Sequence, residues 1–216
     1  MVDATKQGGF IAIEGVDGAG KGVQSRALLK ALHDVDLDAI LTREPGGSAG
    51  AEQIRKLIVE GETDRWDDMT ELLLIYAARR SHLVETVWPA LERHCWVISD
   101  RFADSSRAFQ GIAGNLGLEQ VEVLHRLVVG DFAPDLTLVL DLDPYLSLQR
   151  ANRRGGTEDR FEKKGLEYQH RVREGFRMLA ERSTDTHVLI DANQPVDQVT
   201  EDIMAAVASK LGLPVS

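Results

Sequence analysis

The sequence predicts an α/β fold, a five-stranded parallel sheet flanked by helices on both faces. Three observations predict it. Short β-rich segments alternate with longer stretches of helical periodicity, five times over. No period of roughly 20–50 residues repeats, and no segment is of low complexity, which excludes solenoids and arrays. At 43% hydrophobic, 28% charged and 6% aromatic, the composition suits a helix-rich α/β chain and not a disordered one.

The elements follow in order. Phe10–Glu14 reads as the first strand, followed by a glycine-rich turn and a helix to about His33. Ala39–Thr42 is the second strand, and Ala51–Glu60 a short helix with Ile54, Leu57 and Ile58 on one face. Asp67 or Asp68 caps a long helix reaching toward His94, with Met69, Leu72, Leu73, Tyr76 and Ala77 at helical spacing. Pro89 is expected to kink or interrupt its C-terminal end. Trp96–Ser99 is the third strand, Leu118–Val129 a helix, and Leu136–Asp141 the fourth strand. Pro144–Arg153 reads as helix, is broken at Gly155-Gly156-Thr157, and is followed by a helix over Lys164–Arg182. Val188–Asp191 is the fifth strand and Val196–Leu211 the last helix. Right-handed crossovers prune the topology, and ligands are expected beyond the carboxyl ends of the strands.

The whole chain, 1–216, reads as a single domain. Its apolar runs fall far short of the ~20 residues that span a membrane, and no apolar stretch precedes Phe10, so no membrane span and no secretory signal are expected. The one cysteine, Cys95, has no disulfide partner and reads as a small buried residue, which favours a cytoplasmic address. The six histidines show no paired metal spacing and are read as structural or surface groups. A formal net charge of −10 leaves no overall footprint for nucleic acid. The basic residues are nonetheless skewed to 18 Arg against 7 Lys, and Arg is the side chain suited to bidentate phosphate contacts.

After the first strand comes Gly15-Val16-Asp17-Gly18-Ala19-Gly20-Lys21, a phosphate-binding loop between strand and helix. Glycines let backbone N–H groups converge on phosphate oxygens, the helix N-terminus adds its positive end, and Lys21 reaches the β/γ-phosphates. The Ser or Thr that would follow the lysine and hold Mg2+ is replaced by Gly22. Either water takes the place of the hydroxyl, with Asp17 or Asp100 holding the shell, or turnover is impaired. A second anion site is indicated by Thr42-Arg43-Glu44-Pro45-Gly46-Gly47 after the second strand and Ser99-Asp100-Arg101-Phe102 after the third. Between them, Tyr76, Arg79 and Arg80 share one stretch of the long helix, where an aromatic and an Arg three or four residues on lie on one face.

These segments resemble the thymidylate kinases, a family of the P-loop NTPase fold. The resemblance runs through Glu14–Lys21, Leu41–Gly47, Tyr76–Arg79, Asp100–Gly111, Pro134–Asp141 and Asp159–Glu162, in order and over nearly the whole chain. It implies transfer of the ATP γ-phosphoryl group to dTMP with Mg2+, giving dTDP, in a homodimer. By resemblance, Lys21, Arg101, Asp17 and Arg153 are catalytic, and Arg79 and Arg101 hold the acceptor phosphate. ATP falls to Gly15 through Gly22, Arg150, Arg154 and Asn193. dTMP falls to Asp17, Glu44, Pro45, Tyr76, Arg79, Arg101, Ser105, Ser106, Phe109 and Gln110, with Ser106 and Gln110 at the thymine edge and Phe109 against the deoxyribose. Asp100 is assigned to the metal indirectly, through water. Thymine stacking falls near Ile75 or Tyr76. The arginine-rich segment at about 150–165 reads as a short helical lid, with Arg153 its first catalytic candidate and Arg154 and Arg160 behind it. The alternatives are another nucleotide or nucleoside kinase, or a nucleotide-binding protein whose turnover Gly22 has impaired.

Overall fold

A computed structural model describes residues 8–154 and 160–215 of the chain. Five strands, β1 (Phe10–Gly15), β2 (Ala39–Arg43), β3 (Trp96–Asp100), β4 (Leu136–Asp141) and β5 (His187–Asp191), form one sheet in the order β2-β3-β1-β4-β5. Every pairing is parallel, with Ile11 opposite both Ile98 and Leu136. The chain order thus reverses direction on either side of β1, and the phosphate loop leaves β1 at that switch point.

Successive side chains of β1 point to opposite layers. Ile11 and Ile13 join Ile98 and Leu138 in a core that takes Leu28 and Leu32 from α1 (Lys21–Asp34) and Val199 and Ile203 from α9 (Val196–Leu211). That core continues through Val172 and Phe176 of α8 (Leu166–Arg182). Phe10, Ala12 and Val97 face the other layer, against Leu72 and Tyr76 of α3 (Asp68–His82). The strands are therefore buried on both sides, as a parallel sheet requires.

Three departures from the sequence reading have local causes. The short helix is α2 (Ala49–Val59), begun earlier than expected because Ser48 caps it, its side chain accepting from Ala51 N at 3.3 Å. The long helix is not broken at Pro89. It passes from α3 through a π-helical turn (Leu83–Val87) into α4 (Trp88–Glu92), with Trp88 N–H donating to the Leu83 carbonyl. Pro89 has no N–H for the carbonyl four residues back, and the widened turn just ahead of it absorbs the loss. Third, the stretch after β3 that the sequence left unassigned is helical, α5 (Ala103–Ser106) running into a second π-helical turn (Arg107–Ile112). The remaining helices, α6 (Leu118–Val128) and α7 (Pro144–Arg154), lie where periodicity puts them.

Candidate active site

The carboxyl ends of β1, β2 and β3 open into a cleft of about 820 Å3. One wall is the phosphate loop. Gly15, Gly18 and Gly20 all have positive φ (131°, 77° and 92°). At Gly15 a Cβ would lie 2.4 Å from the Leu140 carbonyl oxygen, and at Gly18 2.7 Å from that of Ser147, so no larger residue fits the loop as built. Lys21 is buried and donates to the Gly15 and Val16 carbonyls at 3.1 and 2.8 Å. Burial and the neighbouring Arg101 charge pull its ammonium down to about 8.

Arg101 sits at the end of β3 with φ 75°, a left-handed backbone that costs a non-glycine residue on the order of 1 kcal/mol. The strain is held by Arg101 N donating to Ile13 O at 2.9 Å and by Ser99 Oγ donating to Arg101 O at 2.7 Å. The result turns the guanidinium over the phosphate loop. It donates to Gly15 O at 2.8 Å, Ser105 Oγ at 3.1 Å and Asp17 Oδ1 at 2.5 Å, and lies 5.1 Å from the Phe109 ring centroid.

Arg79, from α3, enters the cleft from the opposite side. Its Nε donates to Glu44 Oε2 at 2.7 Å and its Nη2 to Phe102 O and Ser106 Oγ at 3.0 and 3.1 Å. Its Nη1 is buried with no hydrogen-bond partner among the described residues. A buried, unpaired N–H on a charged group is costly unless something else accepts from it. The position, in a cleft wall, suits an anion. Burial opposes ionisation of Glu44, but Arg79 and His82 hold its carboxyl below the ordinary range. His82 bridges Glu44 Oε1 at 3.0 Å and Thr42 Oγ1 at 2.7 Å, a structural part.

Sequence reasoning passed over Glu14, which organises this end of the sheet. Fully buried, it accepts from Phe102 N at 2.8 Å, Ser105 N at 3.1 Å and Ser105 Oγ at 2.6 Å. Burial, aided by the Asp104 carboxylate, pushes its carboxyl up to about 7. Arg26, Arg43 and Arg55 also line the cleft. Arg26 had a readable signal, since it lies one helical turn beyond Gly22.

Of the residues expected at the site, Asp17, Gly18, Gly20, Lys21, Gly22, Glu44, Pro45, Arg79, Asp100, Arg101, Ser105, Ser106, Phe109, Gln110 and Arg150 line the cleft. Gly15, Val16 and Ala19 belong to the loop itself. Tyr76 does not line it: its ring is covered by the Arg79 guanidinium at 4.5 Å and its hydroxyl meets His125 Nδ1 at 3.3 Å. Ile75, one residue earlier on the helix, faces the cleft instead, with Ile58, Val59 and Phe161. Asn193 stands beyond β5, donating to Asp191 Oδ1 at 2.6 Å and accepting from Asp143 N at 3.1 Å. Arg160 does not face the phosphate loop. It is buried, donating to the carbonyls of Ile58, Glu62 and Thr63 and to Glu71. The side chains of Arg153 and Arg154 lie outside the described residues.

The thymidylate kinase family model matches residues 13–203. Thymidylate kinase of Caulobacter vibrioides is 48% identical over 207 residues, covering 96% of this chain and 99% of that one. Thymidylate kinase of Dinoroseobacter shibae is 49% identical over 201 residues, covering 93% and 97%. The crystal structure of thymidylate kinase from Ehrlichia chaffeensis matches with a TM-score of 0.74 at 30% identity, over 93% of this chain and 98% of that one. A phosphate loop at the switch point, faced across one cleft by Arg101 and the buried Arg79, agrees with that likeness, and the chain belongs to the thymidylate kinase family.

Proposed function

We propose that this protein transfers the γ-phosphoryl group of ATP to dTMP, giving dTDP and ADP. The single observation that carries the reading is that one cleft holds two cationic anchors. Lys21 and the phosphate loop form the donor side, and Arg79, whose Nη1 has no hydrogen-bond partner among the described residues, the acceptor side. A protein that only hydrolysed ATP needs no second anchor.

The chemistry requires alignment and neutralisation more than proton transfer, because the acceptor is already an anion. An oxygen of the dTMP phosphate attacks Pγ as the bond from Pγ to the β-phosphate oxygen breaks, and ADP leaves. Lys21 spreads charge on the γ-phosphoryl group. Arg101, turned over the loop, touches both halves of the reaction. Arg79 holds the acceptor, and Glu44 orients Arg79. Asp17, paired to Arg101, faces the sugar. Arg150, whose Nη1 is 3.5 Å from the Gly18 carbonyl, lies at the start of the lid at about 150–165, which we assign to closing over ATP with Arg153 and Arg154. Asn193 lies where the adenine passes. Ser106 and Gln110 are assigned to the thymine edge, and Phe109 packs against the deoxyribose.

Mg2+ is the implied cofactor, and the residues present fit it. Asp100 offers one hard oxygen at the loop, and a Cβ at Gly22 would meet nothing closer than Arg26 Nη1 at 3.5 Å and Asp100 Oδ2 at 3.8 Å. That space suits a metal that keeps several waters. When bound, Mg2+ neutralises the β- and γ-phosphates. Gly22→Ser fits without a clash and is expected to lower the Mg2+ concentration giving half-maximal turnover. An unmoved Mg2+ dependence shows that water already fills the hydroxyl's place.

A coupled ADP-release assay across dTMP, dUMP, dCMP, dGMP and thymidine tests the function. Turnover is expected to be highest with dTMP. Absence of ADP release with every acceptor would sink the reading and favour a nucleotide-binding protein without turnover. ATP as donor goes with a cytoplasmic location.

The partner is read as a second copy of this chain. Leu127 and Leu73 are 80% and 51% exposed and line, with Leu124, Val128 and Ala77, a groove between α3 and α6. Contiguous apolar surface of this kind marks an interface. Leu127→Glu with Leu73→Glu is expected to convert a dimer to a monomer in light scattering. A wild-type monomer at micromolar concentration would overturn the assignment.

A further inference from the structure

Beneath the base end of the cleft lies a buried charge cluster that the phosphoryl-transfer chemistry does not use. Glu71 of α3 is 2% exposed and Arg160 fully buried, and the Arg160 guanidinium donates to Glu71 Oε2. Lys164 Nζ stands 3.7 Å from Glu71 Oε1. The same Oε1 accepts from Gln110 Nε2 at 2.8 Å. Gln110, also buried, sits in the π-helical turn after α5 and lines the cleft. Phe161, joined to Arg160, lines the cleft as well and meets Phe109 edge-on at 5.6 Å.

A primary amide has a donor end and an acceptor end, and only its surroundings decide which way it faces. A carboxylate paired to a guanidinium can only accept. Glu71 therefore fixes the NH2 end of Gln110 toward itself, and the carbonyl end is the one turned to the cleft. A carbonyl acceptor matches a base whose ring N3 carries a proton, as in thymine and uracil. It repels the N3 lone pair of cytosine. Removing a buried polar match of this kind is costly, which is why such sites discriminate strongly.

We propose that Glu71, charge-balanced by Arg160, is a positioning residue that sets base selectivity by locking the Gln110 amide. The proposal rests on the dTMP kinase reading. It also gives Arg160 a role: its guanidinium holds the Glu71 carboxylate in place and ties the Phe161 wall to the same anchor.

The test compares kcat/KM for dTMP and dCMP in wild type and Glu71→Gln. A glutamine at 71 offers either end, so Gln110 is free to turn. The dTMP/dCMP ratio is expected to fall about tenfold or more, with KM for dTMP rising and kcat at saturating substrate changing little. A substitution that only loosens packing lowers both substrates together, so an unchanged ratio overturns the proposal. Should Glu71→Gln not fold, the double substitution Glu71→Gln, Arg160→Met removes the charge pair as a unit and avoids an unpaired buried guanidinium. Calorimetry on the wild type closes the remaining gap: N3-methylated dTMP is expected to bind at least about tenfold more weakly than dTMP. Equal binding overturns the orientation assigned to Gln110. Absence of dTMP-dependent turnover in the wild type, by contrast, defeats the dTMP kinase reading itself.

Discussion

Lys21→Ala lowers kcat by roughly 10²-fold or more, the scale on which a transition-state charge contact is lost. Among the described residues the Lys21 ammonium hydrogen-bonds the Gly15 and Val16 carbonyls, so the loop loses little else and the fold is expected to persist. The pH profile sharpens the prediction. The Lys21 ammonium lies near 8, well under its ordinary 10.5, because it is buried and faces Arg101. Its charged form is present below that value and is lost as pH rises through it. In the free enzyme kcat/KM for ATP is therefore expected to fall above pH about 8. A bound polyphosphate favours the charged ammonium, so the alkaline limb of kcat lies at higher pH than that of kcat/KM. Coincident limbs, or turnover unchanged in Lys21→Ala, remove Lys21 from the mechanism.

Arg101→Lys is the second large effect. The substitution keeps a charge but discards the planar fork that reaches Gly15 O, Ser105 Oγ and Asp17 together. A fall of about 10²-fold in kcat/KM for dTMP is expected, shared between kcat and KM, because this cation serves both alignment and charge neutralisation. Arg101 is a cleaner target than Arg79. The Arg79–Glu44 pair is 1% and 3% exposed, and removing one partner of so buried a pair costs about 3–5 kcal/mol of stability, confusing loss of fold with loss of function. The Arg101–Asp17 pair is 14% and 24% exposed, where solvent screens part of that cost. A kcat/KM within about threefold of wild type, with an unchanged melting temperature, would leave Arg101 outside the site.

Much of the molecule was legible from the sequence because its signals are local. The phosphate loop announces itself by glycine spacing and Lys21 between a strand and a helix, and the parallel sheet by the alternation of elements. The helix over 103–112 was not legible. Its N-terminal amides lack a cap of their own, and Glu14, about 90 residues away in the chain, supplies the acceptor. Tyr76 and Ile75 show the same limit. Adjacent on one helix, they are separated by which face meets Arg79 and which meets the cleft, and neither residue type reveals that.

The opposite case is Arg160. In sequence it belongs to an arginine-rich lid and reads as a catalytic candidate. In the fold it is buried against Glu71 and the carbonyls of the α2–α3 connection. What the sequence by itself determined is the sheet, the loop and the family, all written in short-range patterns of apolar residues and glycines. What only the tertiary structure decided is the division of the arginines. Arg101 turns over the phosphate loop, Arg79 lines the cleft beside Glu44, and Arg160 pairs with the carboxylate that accepts from Gln110. The side chains are chemically identical, so their roles follow from which carboxylate or carbonyl lies within about 3 Å, a contact made across the sheet and not along the chain.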